Sequence, residues 1–578
     1  MKRIFFLALS LLTMTATYAQ KKNVEVKIIQ TSDVHGMFFP TDYITGKRIF
    51  GTMARISSYI KRQRASYGDN LILVDNGDML QGQPANYYYN FVNTNDANIA
   101  SSVANYLQYD AMVLGNHDIE TGHACYDKFI KEVNCPVLGA NVINTSTNEP
   151  YTKPYQIFEK EGVKIAILGM TTPAIPNWYG EEAWSGMRFE DIATSARKWV
   201  KILKEEEKAD AIIGLFHCGL EGGIINANFK ENAVKEVAEQ VPGFDAILYG
   251  HDHKITAGGM ECTDGNSVMI VNPGTNARVV GDIELSFVFE DGKLREKYLN
   301  AQTVQMDPES TDQDFMNHFQ KEANDVQAFC SQKIATLDFA IFSRDAFFGN
   351  SAFVDLIHNL QLSITNADIS ISAPLLIDGV IKQGDLTMAN MFNLYKAEDH
   401  LYVINMTGEE IRKHLEMSYA LWTNQMHSAK DHLLLLNNDE GKMLFLNPID
   451  YFDSAAGIDY EVDVTKPQGQ KIKILRMSNG EPFSETKTYK VAMNSYRANG
   501  GGELLTKGAG IPKNDLASRI VSRSEKDLRQ LLAGEIKKLG RITPKSNTNW
   551  KFVPESMVKP ALDRDKEALY KKTAYRIL

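Results

Sequence analysis

Beyond its first twenty residues the chain has no long hydrophobic run. No stretch of about 18 apolar residues recurs there, so no membrane span is expected. A surplus of positive charge is also missing. Lys and Arg number 62 against 72 Asp and Glu, a formal net charge of −10, and no basic stripe is present to neutralise a row of phosphates. Duplex nucleic acid is therefore excluded as a partner, whereas a small anion held through metal ions is not. Cysteines are scarce: Cys125, Cys135, Cys218, Cys262 and Cys330 are an odd number at spacings that fit neither a zinc knuckle nor a disulfide scaffold. They read as small buried fillers, with a single Cys125–Cys135 bridge as the alternative. Internal repeats and low-complexity tracts are absent too. What is there is an ordinary globular composition, 44% hydrophobic and 23% charged, over 578 residues. That length predicts at least two domains.

Lys2 and Arg3 precede an apolar run from Ile4 to Leu12, followed by small and polar residues up to Thr17, Tyr18 and Ala19. This is the pattern of a secretory signal peptide, residues 1–19, and predicts export to a periplasm or beyond the cell. From residue 24 onward short β-branched runs alternate with Gly- or Asp-rich corners and stretches of helical spacing. The runs are Val26 to Ile29, Leu71 to Val74, Met112 to Leu114, Ile165 to Leu168, Ile212 to Phe216, Ile247 to Tyr249 and Val268 to Val271. Such alternation predicts an α/β domain over 24–305. Phe315, Phe319, Ala323, Val326 and Cys330 recur at helical spacing and predict a linking helix within 306–335. After it the texture changes to that of an α+β domain, 336–545, with strands at Ile369 to Ser372, Leu401 to Asn405, Ile458 to Val464 and Tyr489 to Asn494. Residues 546–578 read as a charged peripheral tail.

Five strand candidates of the first domain end in metal-type residues: Asp33 and His35; Asp78; Asn116 and His117; His217; His251 and His253. In open α/β sheets ligands gather outside the carboxyl ends of the strands, so these corners can meet in one crevice. Of the six histidines in this domain, five sit at the corners. Carboxylates mixed with imidazoles suit Zn, Mn or Fe, where Ca or Mg would take oxygen alone. Seven candidates, Asp33, His35, Asp78, Asn116, His217, His251 and His253, exceed what one tetrahedral ion takes, which points to two ions with Asp78 as the bridge. His117 is then free to stabilise phosphoryl charge or protonate a leaving oxygen, with Glu120 three residues on to orient it.

The set Asp33-Val34-His35-Gly36, Gly77-Asp78, Gly115-Asn116-His117-Asp118, His217 and Gly250-His251-Asp252-His253 resembles the calcineurin-like metallophosphoesterases. In order and spacing it is similar to the exported 5′-nucleotidase and 2′,3′-cyclic-nucleotide 2′-phosphodiesterase family. The resemblance implies a four-layer αββα catalytic domain with a dinuclear centre, followed by a nucleoside-holding C-terminal domain. It implies that Asp33, His35, Asp78 and His253 bind one ion and Asp78, Asn116, His217 and His251 the other, with His117 catalytic. In the second half, Tyr451-Phe452-Asp453 and Asn494-Ser495-Tyr496-Arg497-Ala498-Asn499-Gly500-Gly501 resemble the segments whose rings stack on the base. They match Phe452 and Tyr496 to that clamp.

Two features depart from the family pattern. Glu120 stands where many 5′-nucleotidases have Asp, and Gly502 replaces the acid that often follows the paired glycines. Tyr496-Arg497-Ala498 and Asn393-Leu394-Tyr395-Lys396 look closer to the cyclic-nucleotide branch. The expected activity is a secreted dinuclear-metal phosphoesterase releasing nucleoside and phosphate from small nucleotides. The alternatives are a strict 5′-nucleotidase or UDP-sugar hydrolase, and a secreted nucleotide-binding protein without catalysis. The sequence carries no signal for an oligomeric state.

Overall fold

The structure, a computed structural model, describes residues 21–439 and 442–570; the predicted signal peptide lies outside the described residues. Two six-stranded sheets build the first domain. One runs Lys293–Gln305, Val279–Glu290, Lys21–Thr31, Leu71–Asp75, Ala111–Val113, Val137–Leu138; the other runs Ile255–Glu261, Ser267–Pro273, Ala246–Tyr249, Ala211–His217, Val163–Thr171, Tyr155–Lys160. In each sheet the four adjacent strands that include those preceding the predicted corners are parallel, and the remaining strands are antiparallel.

The continuous apolar runs follow from burial on both faces. Val26, Ile28, Ile72, Val74 and Val113 meet Ile165, Ile167, Ile213, Leu215 and Leu248 in a core between the sheets. Alternate residues of the same strands point outward. Ile29, Leu73 and Met112 pack under the helices Met53–Tyr67 and Ile99–Leu107, and Leu168, Ile212 and Ile247 pack under Ile192–Glu205 and Val234–Gln240. Helix, sheet, sheet, helix is the four-layer αββα order.

Polar side chains lock the two sheets together where their parallel strands end. Gln30 Nε2 donates to Asn76 Oδ1 at 3.0 Å and to the Tyr249 carbonyl at 2.9 Å. Asn76 Nδ2 donates to the carbonyls of Phe216 at 3.0 Å and Leu248 at 2.9 Å. Both side chains are fully buried, so the bonds satisfy polar groups that water does not reach.

The predicted linker is two helices, Gln313–His318 and Gln320–Ser331, broken at Phe319. Its Phe315, Phe319, Val326 and Cys330 pack onto the first domain's core. The second domain centres on a five-stranded sheet, Ser454–Ala456, Ile369–Ser372, Thr488–Asn494, His400–Thr407, Ile520–Asp527. It is fixed to the first through Tyr87, whose hydroxyl donates to Asp527 at 2.8 Å. The Arg529 guanidinium lies 4.5 Å over the Tyr87 ring and 4.1 Å over Phe392.

Two sequence readings are corrected. Residues 546–570 are not peripheral: Trp550–Val553 pairs in parallel with Ile458–Asp463, and Trp550, Phe552, Val558 and Ala561 are buried in the second domain's core. Charged Lys551 and Lys559 mask a period-2 strand and a helix whose apolar sides face inward. The five cysteines are all free, so the Cys125–Cys135 bridge does not form. Replacing Asn76 with Ala removes the bonds to the Phe216 and Leu248 carbonyls and leaves Gln30 Nε2 with its Tyr249 bond alone. The expected cost is about 2–3 kcal/mol, read as a lower urea midpoint for the first domain; a midpoint equal to wild type would show that the clip between the sheets is dispensable.

Candidate metal centre

All seven predicted ligand residues stand at or just beyond the carboxyl ends of five parallel strands, three from one sheet and two from the other. The corners are laced to one another. The Asp33 amide donates to the Gly77 carbonyl and the His35 amide to the Asp78 carbonyl, both at 2.9 Å. The buried Asp118 carboxylate accepts from the amides of Asp78, Leu80 and Gly115, each at 2.7 Å. Five of the seven, Asp33, His35, Asp78, His251 and His253, have φ between 49° and 71°. Left-handed backbone of this kind costs of order 1 kcal/mol or more per residue and persists where the surroundings impose it. It turns five side chains into one space. Gly115 keeps that space open, because a Cβ there would lie 2.1 Å from Asp78 Oδ1 and 2.6 Å from His217 Cε1.

The donor atoms fall into two groups that share Asp78. In the first, one ligand atom from each of Asp33, His35, Asp78 and His253 lies within 4.8 Å of the others. His253 Nε2 is 3.2 Å from Asp33 Oδ1 and 3.3 Å from His35 Nε2. In the second, His217 Nε2 is 3.3 Å from Asp78 Oδ2 and 3.0 Å from Asn116 Oδ1, and His251 Nδ1 is 2.8 Å from the same amide oxygen. Outer partners set the tautomers. His217 Nδ1 donates to the Asn76 carbonyl at 2.6 Å, His251 Nε2 faces Glu231 Oε1 at 3.2 Å, and Asn116 Nδ2 donates to the Tyr179 hydroxyl at 3.2 Å. Each therefore turns a lone pair inward, so acceptor faces acceptor without a donor between. A cation resolves that arrangement.

The electrostatics agree. Burial alone would raise the Asp33 and Asp78 carboxyls, yet the surrounding histidines hold both below the ordinary carboxylate range. Burial works against an imidazolium at His217, but the Asp78 carboxylate outweighs it and raises that group to about 10. The site favours positive charge beside Asp78 at His217, whereas burial lowers His35 to about 4. The nitrogen and oxygen donors fit divalent first-row metals.

His117 stands beside the donor groups, and its ring centroid is 5.6 Å from that of His35. Asn116–Glu120 is a short helix, so His117 and Glu120 share a face at i,i+3, and Nδ1 meets Glu120 Oε2 at 2.5 Å. Burial disfavours its charged form, but Glu120 and Asp78 outweigh burial and raise it to about 9. The ring is poised to hold a proton.

Asn116, His117 and His251 also line a cavity of about 330 Å³ between the domains, whose far wall includes Asp399, Asp450 and Tyr496. Tyr496 continues into a second cavity of about 680 Å³, lined with Tyr451 and Gly500 to Gly502. Here the sequence reading shifts by one residue. Phe452 is fully buried, stacked on Trp422 at 5.5 Å and 4°, and it lines neither cavity; the half-buried Tyr451 lines the second cavity together with Tyr496. The choice of Phe452 is corrected on that ground, and the signal was chemical: an amphipathic Tyr suits a wet slot better than a Phe. Arg497, beside Tyr496 in the same motif, is buried, with Nε 2.8 Å from Asp453 Oδ2 and a donated bond to the Gly501 carbonyl at 2.5 Å. Sequence reasoning quoted Asp118 within its motif without assigning it a role and missed Tyr179 and Glu231, whose single polar side chains carry no ligand spacing.

The calcineurin-like phosphoesterase model matches residues 26–255, and the 5′-nucleotidase C-terminal domain model matches residues 333–507. The 2′,3′-cyclic-nucleotide 2′-phosphodiesterase/3′-nucleotidase of Yersinia enterocolitica is 25% identical over 95% of this chain and 91% of its own length. The trifunctional nucleotide phosphoesterase protein YfkN of Bacillus subtilis is 28% identical over 95% of this chain; the chain spans 41% of that larger protein. Among solved structures, a putative 5′-nucleotidase from Staphylococcus aureus superposes with a TM-score of 0.75 at 21% identity, covering 92% of this chain and 100% of that one. The chain thus carries in series a calcineurin-like phosphoesterase domain and a 5′-nucleotidase C-terminal domain.

Proposed function

We propose that this chain is a dinuclear metal phosphoesterase that hydrolyses 2′,3′-cyclic nucleotides and nucleoside monophosphates to nucleoside and phosphate. One observation carries the reading: two groups of inward-facing acceptors share Asp78 and open, past His117, on a cavity that reaches a pair of tyrosines. Full-length similarity to cyclic-nucleotide phosphodiesterase/3′-nucleotidases supports the substrate class. In this reading Asp33, His35, Asp78 and His253 hold one divalent ion of the Zn, Mn or Fe type, and Asp78, Asn116, His217 and His251 hold the other. Such a pair supplies water activation and neutralises phosphoryl charge.

The chain's own groups do the rest. Glu120 fixes His117 through Nδ1, and among the described residues no hydrogen bond occupies its other ring nitrogen, which serves phosphoryl oxygens or the leaving alcohol. Tyr451 and Tyr496 hold the base, a contact that tolerates different bases because every base has a π-face. The tyrosines and the donor groups belong to different domains, so closure of the interface sets the distance from base to phosphorus and screens the site from water. Among the described residues no helix is long and apolar enough to cross a membrane, and the Lys2 to Ala19 segment supports export.

Three outcomes are expected. Purified protein supplied with Mn or Zn should release phosphate from 2′,3′-cyclic AMP and 3′-AMP faster than from 5′-AMP or UDP-glucose, and a chelator should stop it. Tight nucleotide binding without phosphate release from any of them would instead favour a binding protein. His117→Ala should lower kcat by about 10²–10⁴ while metal binding persists; a wild-type kcat would remove the role given to this ring. Tyr451→Ala should raise KM for nucleotides about five- to 150-fold, whereas Phe452→Leu should shift the denaturation midpoint, and the reverse pattern would restore Phe452 to the slot.

A further inference from the structure

Between His217 and the helix Val234–Gln240 the chain forms a small hairpin, Gly222–Ile225 against Lys230–Asn232. Its base is pinned: the Gly219 amide donates to Asn232 Oδ1 at 2.7 Å, and Thr172 Oγ1 donates to the Glu231 carbonyl at 3.1 Å. At the end of its first strand Ile225 is open to solvent, 62% exposed. A lone exposed isoleucine is unremarkable in itself, but this one has a place. Ile224, Ile225 and Trp178 line the same 680 Å³ cavity as Tyr451, Tyr496 and Lys513 of the other domain. The hairpin is the first domain's wall of the tyrosine slot.

Glu231 links that wall to the metal centre. Its side chain is 13% exposed and divides its two oxygens. Oε1 faces His251 Nε2 at 3.2 Å, fixing the ring so that Nδ1 turns to Asn116, while Oε2 accepts from the Ile224 amide at 2.7 Å. Gly223 permits the closure: its φ is +72°, and a Cβ there would lie 2.5 Å from the Glu231 carboxyl carbon. Trp178 packs on the same ligand, its ring 5.8 Å from that of His251. One carboxylate thus spans a ligand ring and the backbone of a substrate-facing loop.

We propose that Glu231 is a positioning residue that sets the orientation of the metal ligand His251 and the position of the hairpin walling the base slot, coupling nucleoside recognition to the metal centre. The inference rests on the nucleotide reading given above. Outer partners of metal-bound histidines typically change metal affinity or activity 10- to 100-fold when removed. Glutamine discriminates between the two links, because it keeps a single acceptor oxygen and serves either His251 or the Ile224 amide, not both.

The test uses the full chain as wild type, Glu231→Ala and Glu231→Gln. Mn affinity is read by equilibrium dialysis, and kcat/KM is measured for 2′,3′-cyclic AMP and for bis-p-nitrophenyl phosphate, an ester without a nucleobase. The alanine variant should bind its weaker Mn about 10- to 100-fold less tightly than wild type. The glutamine variant should recover most of that affinity through its amide oxygen, yet its preference for the nucleotide over the base-free ester should fall about tenfold. Wild-type Mn affinity in the alanine variant, a glutamine variant as metal-poor as the alanine one, or an undiminished nucleotide preference in both would each overturn the proposal. Wild-type protein that binds Mn and cleaves the base-free ester but no nucleotide would refute the nucleotide reading instead, and the Mn affinities would still decide the role of Glu231 at His251.

Discussion

The Asp78 carboxylate is the point on which this structure turns. It is buried, it belongs to both groups of metal-type donors, and it is braced on three sides: its own amide donates to Asp118, the His117 amide donates to its Oδ1 at 2.8 Å, and His217 faces its Oδ2. A buried charge is tolerated only when it is paired and hydrogen-bonded. Here His217 from the second sheet faces it alongside His35 from the first, so the two halves of the domain meet around one anion. Remove that anion and the two donor groups lose the one residue they share.

The rest of the first domain can be understood as support for that crowding. Five left-handed residues and several mutually facing acceptors are unfavourable on their own. They are stable because the sandwich beneath them is rigid: two sheets packed apolar face to apolar face, with Gln30 and Asn76 stitching the strand ends across the gap. A cation would offset much of the remaining electrostatic cost, and strain concentrated on one space in this way is what a functional site tolerates. The second domain adds what the sheets lack, an aromatic slot, and the buried Tyr87–Asp527 bond with Arg529 over the ring fixes where that slot stands.

Much of this was legible in the sequence because the physics is local or periodic. The parallel strands announced themselves as β-branched runs, since both of their faces are buried, and the metal-type residues announced themselves by recurring just after those runs. The helical spacing of the linker was legible through Phe315, Phe319, Val326 and Cys330, but its break into two helices at Phe319 was not. Less legible were elements whose pairing is distant or whose pattern is masked. The long hairpin Val279–Glu290 and Lys293–Gln305 turns on Asp291-Gly292, both at positive φ, but its charged outer face hides the alternation. Trp550–Val553 joins a strand almost a hundred residues away in sequence. The slot residue was misplaced by one because Tyr451 and Phe452 are both aromatic, and only packing against Trp422 separates them. Partners such as Tyr179 and Glu231 leave no sequence trace, since each contributes one hydrogen-bonding group to a ligand that lies far away in the chain.

The central claim is that residues from five separated corners hold two cations around Asp78. Anomalous diffraction from crystals of the full protein grown with Mn tests it directly. Two peaks are expected, one among Asp33, His35, Asp78 and His253, the other among Asp78, Asn116, His217 and His251. A map with no peak at Asp78, with His217 and Asp78 joined instead by a direct hydrogen bond at saturating Mn, would contradict the account.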